Sequence, residues 1–268
     1  MRPALVALLP LVACSSALTR GEAAEAISEL VTTARIDGAS GQVLQVSTDF
    51  TIGAAVEASA QNLRDFLASQ APCSTVNVSG ATVTVDFGDG ADTCLWNGES
   101  WSGIAILELE AGADGTWTVH HAWEGLTHGR DILEGAAEVT WTPADATRTV
   151  AHDLTWTNGT DEVVSTADHV QAVLDPSEGW RAGLRIDGAR TWTHDGRDWE
   201  LRANGIEVRA ADPVPQAGSW TLTLPNGKTA TLTFVRQDAA TIRVTLEGGR
   251  DPYVVDVSAL GLVEEVEG

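Results

Sequence analysis

The chain carries a single lysine, Lys228, and its 16 Lys plus Arg face 38 Asp plus Glu, for a formal net charge of −22. A surface so short of cations repels phosphates and anionic lipid heads, which argues against nucleic acid as a partner. Cysteine is scarce as well: the three are Cys14, Cys73 and Cys94. Long apolar runs are missing. A bilayer-spanning helix takes about 20 apolar residues, and no segment reaches that length without charges.

The motifs of common catalysis are also absent. There is no Gly-x-Ser-x-Gly elbow between a strand and a helix, no His-Glu-x-x-His, and no phosphate loop ending in Gly-Lys-Ser/Thr. Carboxylates abound, but the pair that hydrolyses a glycoside is defined by its separation in space. No catalytic residue and no cofactor is assigned, and the expectation is a non-enzyme.

What is present begins with an export address. Arg2, an apolar run from Ala4 to Val12 and small residues after it have the anatomy of a secretory signal. The residues LVAC, Leu11 to Cys14, resemble the bacterial lipobox. That resemblance implies a signal peptide over 1–13 and a diacylglycerol on the Cys14 thiol, with acyl chains such as palmitate anchoring the mature protein. Ser15 stands where an Asp would mark inner-membrane retention, which implies the cell envelope and its outer membrane as the address. The membrane is then a partner through the N-terminal lipid alone.

Setting Cys14 aside leaves Cys73 and Cys94 as an even pair in a compartment where disulfides persist. A bridge is the preferred reading, with two buried thiols as the alternative. Few other ligands surround them, so a metal site is not assigned.

Gly21 to Thr33 is rich in helix formers and spaces Ile27, Leu30 and Val31 as one apolar face. Ala54 to Gln70 places Val56, Leu63, Phe66 and Leu67 near one face, and Pro72 ends that helix. From Cys73 onward the period is two. Short alternating segments are separated by turn signals at Ser79-Gly80, Gly88 to Gly90, Ala113 to Gly115, Asn158-Gly159, Asp195-Gly196, Asn204-Gly205 and Asn226-Gly227. The fold expected is mainly β, a large antiparallel meander or sandwich with one or two short N-terminal helices. The organisation expected is a tether and short helix over 14–35 and a β-rich domain over 36–268. The Pro-bearing stretch 211–218 is the one place where that domain could divide.

Ten Trp accompany one Tyr and four Phe. Strand parity puts His121 on the face of Trp117, Val119 and Trp123, with His120 opposite, and puts His152 with Leu154 and Trp156. Trp117, His121, Trp123, Trp141, His152 and Trp156 are therefore the candidate ligand face, set against core packing, which is what large apolar side chains do most often. A third ligand for a metal there would come from His169, His128 or a carboxylate, and the spacing matches no zinc signature. Asp86, Asp89 and Asp92 punctuate a Gly-rich turn. They lack the ligand order of a calcium loop, and a solvated hairpin accounts for them more simply.

The layout of lipobox, cysteine pair around VTVDFGDGADTC, then WNGESWSGIAILEL and serial strands resembles all-β outer-membrane lipoproteins of Gram-negative bacteria that have no assigned activity. The function expected is an outer-membrane-anchored lipoprotein acting as a non-enzymatic binding or envelope-structural module, with a protein or glycan partner. The alternative is a glycan-binding or glycan-hydrolysing protein that uses the Trp-bearing sheet face.

Overall fold

A computed structural model describes residues 17–48, 56–90, 94–96, 98–178, 182–209, 212–258 and 263–265. Two helices precede the strands, α1 (Arg20–Thr48) and α2 (Val56–Gln70). Next come β1 (Thr75–Ser79), β2 (Thr82–Asp86), β3 (Cys94–Trp96), β4 (Glu99–Ala111), β5 (Trp117–His128), β6 (Asp131–Thr142), β7 (Thr147–Asn158) and β8 (Asp161–Val173). The series ends with β9 (Leu184–His194), β10 (Arg197–Val208), β11 (Ala217–Thr223), β12 (Thr229–Arg236), β13 (Thr241–Glu247), β14 (Tyr253–Ser258) and β15 (Val263–Glu265).

The protein is mainly β, and the architecture is an antiparallel meander. Strands follow one another in chain order, except that β2 pairs with β4 and β3 pairs with β4 beyond the end of that ladder. Short connections favour the meander: two residues join β1 to β2, β5 to β6, β7 to β8 and β9 to β10, which leaves no length for a crossover there, so these strands pair with their predecessors. At Asp195-Gly196 both residues take positive φ, 52° and 67°, which matches the twist of the flanking strands. Asn204-Gly205 behaves differently from the turn expected of it. β10 continues through it, and the pairing with β9 jumps from Ala203↔Gly188 to Ile206↔Ile186. Gly205 sits at φ 57° in this bulge, which absorbs one extra residue without ending the strand. The sheet also runs unbroken past 211–218, because β10 pairs with β11 along both sides of it.

One face of the sheet is apolar and forms a single core with the helices. α1 begins with a reciprocal cap in which Thr19 Oγ1 accepts the Glu22 amide and Glu22 Oε2 accepts the Thr19 amide at 2.7 Å. The helix is longer than the Gly21 to Thr33 expected, and it packs on a different edge. Ile27 and Val31 are exposed, while Ala26, Glu29, Thr33 and Ile36 are buried. The reason lies in the sheet, which offers cations and N–H donors rather than a wholly apolar floor. Glu22 meets Lys228 and Asn226, Glu25 meets Arg197, and Glu29 meets His194 and Trp192. Since α1 also touches β5 and β6, the sheet wraps part-way around the helix.

α2 packs on β1, β2 and β4 through Leu63 and Leu67, leaving Phe66 at the edge of the contact. Just beyond its end, Cys73 is joined to Cys94 at the start of β3. Phe87, Trp96 and Trp101 cluster beside that bridge, and His128 packs on Trp101 at 4.7 Å between ring centres.

Candidate functional site

Alternation along β5 to β11 turns every second side chain toward α1, and the register aligns these side chains in rows across the sheet. One row runs His121, Ala137, His152, Ala167, Arg190, Leu201 and Leu222. The next runs Val150, His169, Gly188, Ala203 and Trp220. A third holds Arg148, Gln171, Ile186 and Ile206.

Small residues at Ala167, Gly188 and Ala203 leave space above the sheet, and with Leu44 of α1 on the far side they line a cavity of about 410 Å³. Gly188 cannot be larger. A Cβ there would fall 2.4 Å from the Asp168 carbonyl oxygen, and its φ of 149° disfavours a side chain.

The lining is divided. Arg148 and His152 on β7, His169 and Gln171 on β8 and Arg190 on β9 make a polar wall, whereas Leu184, Ile186, Leu201, Ile206 and Trp220 make an apolar one. Among the described residues no carboxylate lines the cavity.

Hydrogen bonds fix the polar wall. Arg148 Nε donates to Gln171 Oε1 at 2.7 Å, which leaves the Gln171 amide nitrogen to donate to His169 Nε2 at 2.8 Å. His152 Nε2 lies 3.3 Å from Ser165 Oγ. The Arg190 guanidinium sits 5.3 Å from the centre of the Trp192 ring, in reach of its π face. Arg148 and Arg190 are 5% and 8% exposed, so both charges are held away from bulk water. Beside them His121 is held neutral: burial first, then the Arg148 charge and His120, push its pKa down to about 3.

Of the six residues of the candidate face, Trp117, His121, Trp123, Trp141, His152 and Trp156, only His152 lines the cavity. His121 and His152 do share a row, with Ala137 of β6 between them. Trp123 and Trp156 are buried at 3% and 2% exposure, while Trp117 and Trp141 face each other, half-buried, where β5 meets β6. His120 points to the outer face, between Glu110 and Glu138. Asp86 Oδ1 accepts the Gly88 amide at 2.8 Å within its own turn, and Asp92 and Cys14 lie outside the described residues.

Sequence reasoning missed Arg148, Gln171 and Arg190. A usable signal was there: Arg148 shares parity with Val150, His152 and Leu154, and Arg190 with Trp192. A cation on the apolar parity of a strand marks an interior charge, and in a chain so short of cations it is doubly informative. No family model, no curated protein and no solved structure matches the chain.

Proposed function

We propose that the chain is a lipoprotein anchored to the outer membrane through Cys14, that its β domain is a non-enzymatic binding module, and that the interior cavity is its site. The observation that carries the binding reading is the 410 Å³ space with segregated cationic and apolar walls. Sites for small ligands span roughly 300–1,000 Å³ and combine apolar lining with a few placed polar groups. A core that served packing alone would fill such a space, because interiors are packed as densely as organic crystals. Anchoring is supported by the LVAC residues behind an apolar run. The glycan alternative finds little support, since sugar stacking needs an open ring face and Trp123 and Trp156 are covered.

Titration with the neutral fluorescent probe phenylnaphthylamine tests the cavity. Saturable one-to-one binding is expected, and it is expected to be lost in Ala167→Phe and Ala203→Phe, each of which puts a ring into the space. Absence of saturable binding to the wild type, or equal binding by both folded variants, would overturn the reading.

A further inference from the structure

We infer that the protein stands on the membrane with one end of its sheet, the end that carries Leu18, Arg250 and Tyr253, held against an anionic lipid surface, while the opposite end is turned away. This rests on the lipid anchor at Cys14 proposed above and adds the surface that meets the membrane.

The start of the described chain is fixed to the sheet. Leu18 N donates to the Gly248 carbonyl at 2.6 Å and forms an isolated bridge with Gly249, and Lys228 Nζ donates to the Ala17 carbonyl at 3.0 Å. An anchor at Cys14 then has little slack, because three Cα steps lead from it to Ala17 and cover at most about 11 Å of chain. The loop after β13 is held no farther than that from the headgroups.

Direction alternates along the meander, so the turns after β5, β7, β9, β11 and β13 share one end of the sheet and those after β4, β6, β8, β10 and β12 share the other. The tethered end is the first of these. Charge divides along the same line. Among the described residues the far loops hold Asp114, Asp145, Asp175, Glu178, Asp212 and Asp238 against Arg209. The near loops set Arg130, Lys228 and Arg250 against Asp195 and Asp251, with Asp89 after β2 and an exposed Arg20 opening α1 beside them. A chain of net charge −22 is repelled by anionic lipid as a whole, so it meets such a surface best by the end where cations balance acids. Strands of 12 residues such as β7 then hold the acidic loops beyond the screening length, which is about 10 Å at 0.1 M salt.

Two large side chains are also left exposed at the near end. Tyr253, the one tyrosine, follows the β13 loop at 46% exposure, and Leu95 on β3, beside the first residues of β4, is 61% exposed. A ring with a polar tip suits the headgroup level, and an apolar side chain gains by entering it.

Lipidated protein purified from cell membranes and reconstituted in vesicles of phosphatidylethanolamine and phosphatidylglycerol tests the orientation. A fluorophore is placed on a thiol introduced by Asp251→Cys, Thr160→Cys or Glu178→Cys, each an exposed loop position. Cys73 and Cys94 are occupied by their bridge and Cys14 by its lipid, so the introduced thiol alone takes the label. Lipids with a nitroxide on the headgroup are expected to quench the labels at the Asp251 and Thr160 positions and to leave the label at the Glu178 position bright. On neutral phosphatidylcholine vesicles the difference between the Thr160 and Glu178 positions is expected to shrink.

Equal quenching at the Thr160 and Glu178 positions of vesicle-bound protein, or quenching confined to the Asp251 position, would overturn the inference and leave the anchor standing. A difference unchanged on phosphatidylcholine would overturn the anionic surface as the partner. Protein that fails to float with the vesicles would remove both the orientation and the anchor.

Discussion

Glu29 on α1 accepts a hydrogen bond from the Trp192 indole at 3.2 Å, joining positions 163 residues apart. The same carboxylate lies 2.8 Å from His194 Nδ1 and is 5% exposed. A buried acceptor shared by two donors is expensive to remove, because each donor has already lost its water. Glu29→Ala is expected to lower stability by about 1–3 kcal/mol, read as a shift of the urea midpoint at constant slope. Glu29→Gln keeps an acceptor for the indole and should cost less. An unshifted midpoint in Glu29→Ala would show that α1 is not held at this point.

Glu22 gives the same helix a dependence on pH. Its carboxylate accepts the Thr19 amide at 2.7 Å and Lys228 Nζ at 2.9 Å, and these contacts, the amide first, hold its pKa down from 4.5 to about 2. A depressed carboxylate stabilises the fold above its unfolded pKa, and that contribution disappears as the group protonates in the folded state. The stability difference between wild type and Glu22→Gln is therefore expected to be constant above about pH 4.5 and to shrink as pH falls toward about 2. Denaturant curves at a series of pH values measure it. A difference that holds steady across that window would mean that Glu22 gains nothing from the folded state.

The Cys73–Cys94 bridge spans a sequence separation of 21 and ties the end of α2 to β3. By the chain-entropy relation, closing such a loop contributes about 3 kcal/mol through the unfolded state. Non-reducing peptide mapping is expected to find the two cysteines joined. The Cys73→Ser/Cys94→Ser double variant should unfold at lower urea, with hydrogen exchange accelerated around α2 and the Phe87, Trp96 and Trp101 cluster before the rest of the sheet. Free thiols at both positions would remove the bridge.

The meander was legible because its determinants are local. Alternation sets each strand, and pairs such as Asp195-Gly196 set each turn, so neighbours in sequence become neighbours in the sheet. Parity likewise placed His121, Trp123, His152 and Trp156 on one face. Core packing, the commoner fate of such side chains, holds for Trp123 and Trp156; what was not legible is the element that covers them, since nothing local in Ile27, Leu30 and Val31 says that the acidic edge of α1 turns inward. Glu22, Glu25 and Glu29 turn inward because Lys228, Arg197, His194 and Trp192 wait there, 163 to 206 residues away in sequence. The cavity is illegible for a related reason. It is a space left where Gly188 and Ala203 pair across β9 and β10 and Ala167 stands one row away on β8, opposite Arg190, and only the register brings the three together. A two-residue pattern announces a strand; a void takes several strands in register.

The anchor is tested apart from the cavity, because Cys14 and the sheet make independent claims. Lipidation requires a thiol at that position and an export route that processes it, and a single acyl chain binds membranes only marginally while two or more hold firmly. Cells expressing the wild type and fed a clickable fatty-acid analogue should show a labelled protein that sediments with the outer-membrane fraction. Cys14→Ser should lose both the label and the membrane association while its soluble form keeps the urea midpoint and the phenylnaphthylamine binding of the wild type, since no acyl chain is needed to fill the cavity. Persistent labelling of Cys14→Ser would overturn the lipobox assignment. Loss of probe binding by a folded Cys14→Ser protein would instead make the cavity's binding depend on the anchor, whereas a gain would give the Cys14 acyl chain as a competing occupant.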